Sequence, residues 1–423
     1  MRSLIYLAVT LLSVACLLVI GNSNQAQPLF SLGDPIQTAL DINPSGLVLG
    51  TFDRDGCPDI AVISEGPRMP RGNGSLQILH GACDGTFPST AVVSVGEEPT
   101  DIIAADFNRD GVDDVAVANR ATGSVTIVEN TFATTLTATR LSVCAGPRAL
   151  AAADFNDDSF PDLAVACFVD TSIHASSKVQ IFINDGRGGF STPPAQELTA
   201  VNGEIGDAPI SLAVADFDND GDPDLAVANS ESTSNSVAVL KGTGHTQPPF
   251  LAGLITSIPV DNAPWALDSS DLNRDGDPDL AVVLRFSDNV RVFLGTGAGG
   301  FLEKPRLAAC VQPVSLAVGD FNADAKSDLV VGCFESADLY LFKGFGDGTF
   351  TFITAIEIPA AQGGPAPAGA NVTDVIAGKI LLGSGPVPPG GRDQCDDIAY
   401  LVAPNSPVPP NPGTLVVQPV ICQ

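Results

Sequence analysis

The sequence predicts an all-β fold, a seven-bladed β-propeller, from three observations. A phrase rich in aspartate recurs seven times along the chain. Each copy is accompanied by about four short strand-like segments, and no amphipathic helical window of useful length separates them. The two ends of the chain also complement each other, because an unpaired strand at the start matches a missing strand at the end.

The recurring phrase sets the period of the repeat. It reads DFNRDGVDD at residues 106–114 and is followed by the strand-like sequence VAVA. A degenerate copy lies at residues 51–59, and a seventh is recognised only by DIAYLV at residues 397–402. Successive copies end 48 to 69 residues apart, at residues 59, 114, 162, 224, 279, 328 and 397. Such a period is typical of a repeat array or a propeller.

The segments between the phrases predict the blade. In the fourth repeat they are Ile210–Ala215, Leu225–Ala228, Val237–Leu240 and Phe250–Val260, separated by Gly, Pro, Asn and Ser clusters. Four short strands per repeat without helices favour a propeller blade over a helical solenoid. We expect the segment at residues 28–44, which resembles a fourth strand, to complete the last blade and close the ring, since closure removes an exposed sheet edge.

The first 26 residues are interpreted as a secretory signal peptide, and residues 27–423 as the propeller. Arg2 is followed by an apolar run, Leu4–Ile20, and then by a small polar stretch. Two alternatives stay open: an uncleaved membrane anchor, and a lipoprotein signal with its cleavage site in the sequence SVAC at residues 13–16. The expected location is extracellular, at the cell surface or periplasmic, with no membrane insertion after cleavage. Cleavage is compatible with Gly21, Ser23 or Ala26 as the last residue removed.

Eight cysteines remain beyond the signal, an even number that points to disulfides in an exported chain. The repeat register places two pairs in loops on one face of the ring and two pairs toward the other face. Free buried thiols are the alternative. The predicted bridges are Cys57–Cys83, Cys144–Cys167, Cys310–Cys333 and Cys395–Cys422.

The aspartate-rich phrase predicts calcium sites. Oxygen side chains at positions 1, 3 and 5 can surround one cation, position 9 adds a carboxylate, and glycine at position 6 permits the sharp turn. Ligands that are all oxygen favour Ca²⁺. The alternative is that these residues only cap tight turns. Five loops keep all four side chains: Asp106, Asn108, Asp110 and Asp114; Asp154, Asn156, Asp158 and Asp162; Asp216, Asp218, Asp220 and Asp224; Asp271, Asn273, Asp275 and Asp279; Asp320, Asn322, Asp324 and Asp328.

Two of these loops and two further copies depart from the pattern. Ser159 and Ala325 replace the glycine, which predicts weaker sites in the third and sixth repeats. The first repeat has Thr51 at position 1, so Asp53, Asp55 and Asp59 form a weaker candidate. We expect the seventh loop to be empty.

At these residues the chain resembles the FG-GAP/VCBS repeat family, whose propellers include the integrin α-subunit head. The resemblance rests on DFNxDGxxDLAV and on phrases such as DGRGGF at residues 185–190. It implies a propeller that binds Ca²⁺ on one face and docks partners on the other. The family includes adhesion proteins, lectins and some enzymes, so the fold leaves function open.

The expected function is an extracellular protein- or glycan-binding module. The formal charge of −29 argues against nucleic acid and anionic membranes as partners. Aligning the repeats places one residue per repeat at the mouth of the central channel: Ser45, Thr100, Arg148, Ile210, Trp265, Val314 and Val372. With Asp101 nearby, Arg148 and Trp265 are the candidate ligand residues, and Trp265 either stacks on a ligand or merely packs. We expect a monomer that is not an enzyme, with a calcium-dependent polysaccharide lyase or hydrolase as the alternative, and a lectin as a further one.

Overall fold

The computed structural model describes residues 31–32, 35–66, 72–131, 135–168, 177–199, 205–230, 235–244, 249–335, 338–357, 371–378, 396–403 and 412–421. Every regular element in these ranges is a β-strand. The strands form seven small antiparallel sheets, each of which is one blade of a propeller. The fold class predicted from the sequence is therefore confirmed.

The first four blades follow the chain in simple up-and-down order. Their strands, from first to fourth, are Pro44–Gly50, Asp59–Ser64, Ser75–His80 and Ser89–Ser94 in blade one; Pro99–Ala105, Asp114–Asn119, Ser124–Thr131 and Thr135–Ser142 in blade two; Pro147–Ala153, Asp162–Cys167, Lys178–Phe182 and Gln196–Thr199 in blade three; and Pro209–Ala215, Asp224–Asn229, Ser236–Gly242 and Phe250–Pro259 in blade four.

The remaining blades keep this order, with a divided outer strand in blade five and a borrowed outer strand in blade seven. Their strands are Pro264–Ser270, Asp279–Leu284, Asn289–Gly295 and the pieces Phe301–Glu303 and Leu307–Ala308 in blade five; Pro313–Gly319, Asp328–Cys333, Asp338–Gly344 and Phe350–Glu357 in blade six; and Asn371–Gly378, Asp397–Ala403, Pro412–Gln418 and Ile36–Ile42 in blade seven.

The ring closes through the N-terminal strand, as the sequence predicts. Ile36–Ile42 pairs antiparallel with Pro412–Gln418, so the start of the chain supplies the outer strand of the last blade. A short pair, Ser31–Leu32 with Val420–Ile421, continues this closure. The first strand of each blade packs against the first strand of the next, and that of blade seven packs against blade one. The first strands therefore line the central channel.

The core is divided among the seven interfaces between blades. The described residues contain seven apolar clusters, and each draws its side chains from two neighbouring blades. All residues of the second strand Asp224–Asn229 are buried, because both faces of the sheet are covered by adjacent blades. This explains why the repeats show runs of Val, Ala and Leu rather than a strict alternation.

The phenylalanine of the recurring phrase joins the acidic loop to this core. Phe217, only 1 % exposed, reaches from the loop of blade four into the apolar cluster shared with blade five. Its ring meets Phe301 of blade five edge-on, with 5.6 Å between centroids. Phe107 and Phe155 are buried in the same way against blades three and four. Each acidic loop is thus anchored to the blade that follows it.

Three of the four predicted disulfides are present. Cys57–Cys83 joins two loops of blade one. Cys144–Cys167 and Cys310–Cys333 each connect the residues after an outer strand to the second strand of the next blade. The fourth prediction, Cys395–Cys422, falls outside the described residues. Disulfides of this kind persist in oxidising environments such as the extracellular space.

Candidate functional site: the acidic loops and the channel mouth

The aspartate that ends each phrase anchors its loop to the sheet. Asp114 is fully buried; its Oδ2 accepts a hydrogen bond from Phe107 N (3.1 Å) and its Oδ1 accepts one from Asn130 N (2.8 Å). The other described phrases repeat this pair of bonds. Burial raises the pKa of these carboxyls, to about 7 in Asp114, Asp162 and Asp328 and to about 6 in Asp224 and Asp279.

The earlier side chains of the phrase turn into the loop. Asp106 accepts hydrogen bonds from Asp110 N at Oδ1 (3.0 Å) and from Gly111 N at Oδ2 (2.8 Å). Asn108 Oδ1 also accepts from Asp110 N (2.9 Å). Carboxylate and amide oxygens therefore gather on the inner side of one tight turn, and this donor chemistry suits a hard cation.

Glycine at position 6 is replaced in two loops without loss of the turn. Gly111 has a φ of 83°, in the left-handed region. Ser159 and Ala325 adopt φ values of 73° and 59° at the equivalent position, where a side chain carries a conformational cost. The structure thus keeps the same loop shape in the two repeats for which the sequence predicts weaker sites. The cost is local strain of the backbone.

Blade four combines a compact carboxylate group with a lysine. Ligand oxygens of Asp216, Asp218 and Asp224 lie within 4.8 Å of one another, and Asp218 Oδ1 is buried with no hydrogen-bond partner among the described residues. Lys241, from the third strand of the same blade, contacts the carboxylates of Asp218 and Asp220. An ammonium group therefore already neutralises part of this loop.

The same position carries a lysine in blade six. Lys343 Nζ lies 3.0 Å from Asp324 Oδ2, and Lys326 Nζ lies 3.6 Å from the same oxygen. In both blades the residue after the third-strand lysine donates its N–H to the closing aspartate, so the two lysines share one register. The loops of blades two, three and five have Glu129, Ile183 and Leu294 at this position.

Blade one brings together a different set of side chains. Asp53 and Asp59 approach His80, and ligand atoms of the three lie within 4.8 Å of one another. Asp55, the remaining sequence candidate, is not part of this group; its Oδ1 accepts a hydrogen bond from Cys57 N (2.7 Å). The sequence offered no local signal for His80, although its place at the end of the third strand matches that of the two lysines.

The opposite ends of the first strands form the mouth of the channel. The residue that lies in the bulge near the start of each first strand lines one cavity of about 430 Å³. Because seven-residue strands separate them, the mouth and the acidic loops lie roughly 20 Å apart. The seven residues are Ser45, Thr100, Arg148, Ile210, Trp265, Val314 and Thr373. A bulge between Val372 and Asp374 puts Thr373 at this position in blade seven.

Most polar side chains in this cavity link adjacent blades. Thr100 Oγ1 donates a hydrogen bond to Pro147 O (3.0 Å), and Ser45 Oγ donates one to Pro99 O (2.9 Å). One residue deeper, Asp101 Oδ2 accepts from Leu150 N (2.7 Å). Asp374 Oδ2 likewise accepts from Leu47 N in blade one (3.1 Å). Asp101, predicted as a residue of the ligand mouth, therefore also holds blade two to blade three.

Two guanidinium groups approach the indole ring of Trp265 at this mouth. Arg148 of blade three lies 5.0 Å from the indole centroid, and Arg285 lies 4.3 Å from it. Arg285 also approaches the rings of Phe334 and Phe286, at 5.1 and 5.6 Å. Phe286 is 64 % exposed, so the cluster opens to solvent. The structure thus brings Arg148 and Trp265 together as a pair and adds Arg285.

The two arginines beside Trp265 differ in their hydrogen-bond partners. Arg285 donates to Gln312 Oε1 through Nε and one terminal nitrogen (3.2 and 3.0 Å). Among the described residues, no acceptor forms a hydrogen bond with the Arg148 guanidinium. Burial, with the nearby cations Arg120 and Arg285, lowers the pKa of Arg148. Burial raises the pKa of Asp101 and of Asp374 to about 7.

The fold and the repeated loops define a repeat-built β-propeller with aspartate-rich hairpins. The sequence model of the FG-GAP-like repeat family matches this chain five times, over residues 52–117, 106–165, 154–227, 216–282 and 271–331. Together these matches cover more than half of the chain. The chain therefore belongs to the FG-GAP-like repeat family.

Solved structures with the same fold differ widely in sequence. A structure of BBS1N in complex with ARL6DN is 12 % identical and aligns over 93 % of this chain and 97 % of that chain, with a TM-score of 0.58. A Lactobacillus plantarum protein is 18 % identical over 75 % and 85 %, at 0.54. A putative 6-phosphogluconolactonase from Bacteroides uniformis is 15 % identical over 77 % and 89 %, also at 0.54. At these identities the similarity concerns the fold alone.

Two negative findings complete these comparisons. A search of curated proteins gives no match. Within the described ranges, no helix is long and apolar enough to cross a membrane.

Proposed function

We propose that this chain is an exported propeller, held rigid by Ca²⁺, that binds an extracellular protein or glycan at the channel mouth. The observation that carries the proposal is the cluster of Arg148, Trp265 and Arg285 that lines a cavity of about 430 Å³. Aromatic and arginine side chains in a concave site are the usual anchors of binding energy. The BBS1N propeller, which shares the fold, was solved in complex with another protein.

The charge pattern favours an anionic ligand. The chain carries a formal charge of −29, yet Arg120 and Arg285 both lie close enough to Arg148 at the mouth to lower its pKa. Arg148 lacks a hydrogen-bond acceptor within the described part of the chain, and a carboxylate would supply one in the two-pronged geometry that guanidinium groups favour. Trp265 offers a flat apolar surface beside it. An acidic glycan or an acidic peptide satisfies both requirements.

Calcium is proposed at the loops of blades two, three and five. These loops present only oxygen donors, and no lysine occupies the third-strand position facing them. The ions would be held by Asp106, Asn108, Asp110 and Asp114; by Asp154, Asn156, Asp158 and Asp162; and by Asp271, Asn273, Asp275 and Asp279. Bound calcium supplies positive charge that offsets the clustered carboxylates. The loops of blades four and six remain candidates in which the ion competes with Lys241 and Lys343.

Export is proposed from the signal-like segment of the sequence and is supported by the three disulfides. Expression with residues 1–26 attached tests it directly. We expect the protein in the medium or periplasm with these residues removed. Retention in the cytosol with the segment intact would contradict export.

An enzyme acting on polysaccharides is the second candidate, and one observation favours it. Asp101 and Asp374 line the same cavity and have pKa values near 7, which suits proton transfer at neutral pH. Both carboxylates also accept hydrogen bonds from the neighbouring blade. Digestion of acidic polysaccharides tests this function. Cleavage that disappears in the Asp101→Asn variant would establish an enzyme.

Binding at the mouth is tested with a glycan array and with acidic and neutral peptides, followed by calorimetry on the best ligand. We expect acidic ligands to bind and Arg148→Gln and Trp265→Ala each to weaken binding at least about tenfold, since central Arg and Trp residues commonly contribute 2 kcal/mol or more. Arg140→Gln, which alters an exposed arginine on blade two, is the matched control. Equal affinity in all four proteins would contradict the site.

A further inference from the structure

The strongest feature outside the proposed calcium loops and the mouth is the cluster in blade one. We propose that Asp53, Asp59 and His80 form a mixed nitrogen and oxygen site for a divalent transition metal such as Zn²⁺. This site differs from the calcium loops because one ligand comes from the third strand rather than from the hairpin. It is independent of the function proposed above.

The first step is the loss of the usual oxygen at position 1. Thr51 replaces aspartate there, and its N–H and hydroxyl both donate to Asp113 Oδ2 of blade two, at 2.7 and 3.0 Å. Position 1 therefore faces the neighbouring blade instead of the loop. The blade-one loop lacks one of the oxygen ligands that a calcium shell of six to eight requires.

The second step is the approach of His80. It ends the third strand, and the next residue, Gly81, donates its N–H to Asp59 Oδ1 (2.8 Å). This is the register in which Lys241 and Lys343 meet the loops of blades four and six. Blade one thus presents an imidazole nitrogen where those blades present an ammonium group.

The third step is the geometry of the three ligand atoms. His80 Nδ1 lies 3.2 Å from Asp53 Oδ2 and 3.8 Å from Asp59 Oδ2. Ligand atoms in a tetrahedral zinc site with bonds of about 2.0–2.1 Å are separated by roughly 3.3 Å. The observed spacings bracket that value. Because all three atoms lie within 4.8 Å of one another, one cation can contact all three after small side-chain adjustments.

The fourth step is an unsatisfied polar atom. His80 Nδ1 is buried and has no hydrogen-bond partner among the described residues, although a carboxylate oxygen lies only 3.2 Å away. The two groups are therefore close together without forming a hydrogen bond. A buried polar atom without a partner is costly, and a shared metal ion would satisfy it.

The ligand types decide the class of metal. Imidazole favours Zn²⁺ and its first-row neighbours, whereas Ca²⁺ takes oxygen ligands almost exclusively. The Cys57–Cys83 disulfide ties the loop to the segment that follows His80, which limits movement of the ligands. Asp53 and His80 also line a cavity of about 380 Å³ between blades one and two. The centre can therefore exchange its metal and accept a water or a small anion.

Zinc binding is measured by equilibrium dialysis and elemental analysis, with Ca²⁺ in large excess to saturate the other loops. We expect the unmodified protein to retain one Zn²⁺ per chain. His80→Lys gives blade one the residue that blades four and six carry at this position, so the variant should fold. It should bind zinc at least ~100-fold more weakly, since even loss of an outer-shell partner costs 10–100-fold. His174→Gln and His245→Gln change histidines outside the described residues and should retain zinc.

Two results would overturn the proposal. One is an unmodified protein that binds no zinc. The other is unchanged zinc binding in His80→Lys. If that variant shows no cooperative thermal unfolding, Asp53→Asn replaces it, and retention of one Zn²⁺ there would overturn the site equally. Calcium content measured on the same samples separates this outcome from failure of the calcium proposal.

Discussion

Removal of the lysine in blade four should convert its loop into a calcium-dependent one. Lys241 contacts Asp218 and Asp220 and is the cation nearest to the blade-four carboxylates. Lys241→Met keeps most of the side-chain volume and deletes the charge. Without calcium, the variant should lose about 1 kcal/mol of unfolding free energy, because the partly exposed ion pairs are lost and the carboxylates repel one another.

Calcium should restore that loss and exceed it. A loop that gains an ion at tenfold excess over its Kd gains about 1.4 kcal/mol, and at hundredfold excess about 2.7 kcal/mol. Urea unfolding at several calcium concentrations measures this gain, and elemental analysis should find one more Ca²⁺ per chain than in the unmodified protein. Lys178→Met removes a comparable pair with Glu197 far from the acidic loops and is the control.

One result would refute this reasoning. If Lys241→Met and the unmodified protein show the same calcium dependence of unfolding and the same calcium content, the lysine does not compete with an ion. The blade-four loop would then be a tight turn stabilised by its own hydrogen bonds.

Three further predictions concern the calcium loops, the buried Phe217 and the carboxyls of the channel mouth. Chelation of the unmodified protein should lower the free energy of unfolding by about 4 kcal/mol at tenfold excess calcium, the sum of three loops; magnesium in place of calcium should not restore it. Phe217→Ala should cost about 3–5 kcal/mol in urea unfolding, whereas the exposed Phe286→Ala should cost well under 1 kcal/mol. Because the pKa of Asp101 and Asp374 is raised to about 7 in the folded protein, stability should fall as pH rises from 5 to 7, by up to about 1.4 kcal/mol per pH unit for each carboxyl. At saturating calcium, the double variant Asp101→Asn, Asp374→Asn should flatten that slope, and an unchanged slope would contradict the assignment.

The fold was predictable because the repeats share one sequence pattern. The closing aspartate and the apolar second strand recur in register, and in the first six repeats a large apolar residue follows position 1, which is Leu272 in the fifth and Phe in the others. The disulfides followed from the same register, because Cys57 and Cys83 occupy loops that meet on one face. Ring closure followed from the segment at residues 28–44, which resembles a fourth strand and has no partner nearby in the sequence; the observed strand within it is Ile36–Ile42.

The details of the sites were less predictable because they depend on residues from different strands. His80, Lys241 and Lys343 approach their loops from about twenty residues away, and only the pairing register shows that they share one position. Arg285 joins Trp265 from the end of the next strand. A bulge shifts the blade-seven mouth residue from Val372 to Thr373. Local patterns do not encode such juxtapositions.

The most direct test of the calcium account is a crystal structure of the protein grown in calcium, with the ions located by anomalous scattering. We predict ions in the loops that begin at Asp106, Asp154 and Asp271, with Lys241 and Lys343 still in contact with the carboxylates of blades four and six. Loops without ions at saturating calcium, or ions that displace both lysines while the other loops stay empty, would contradict it.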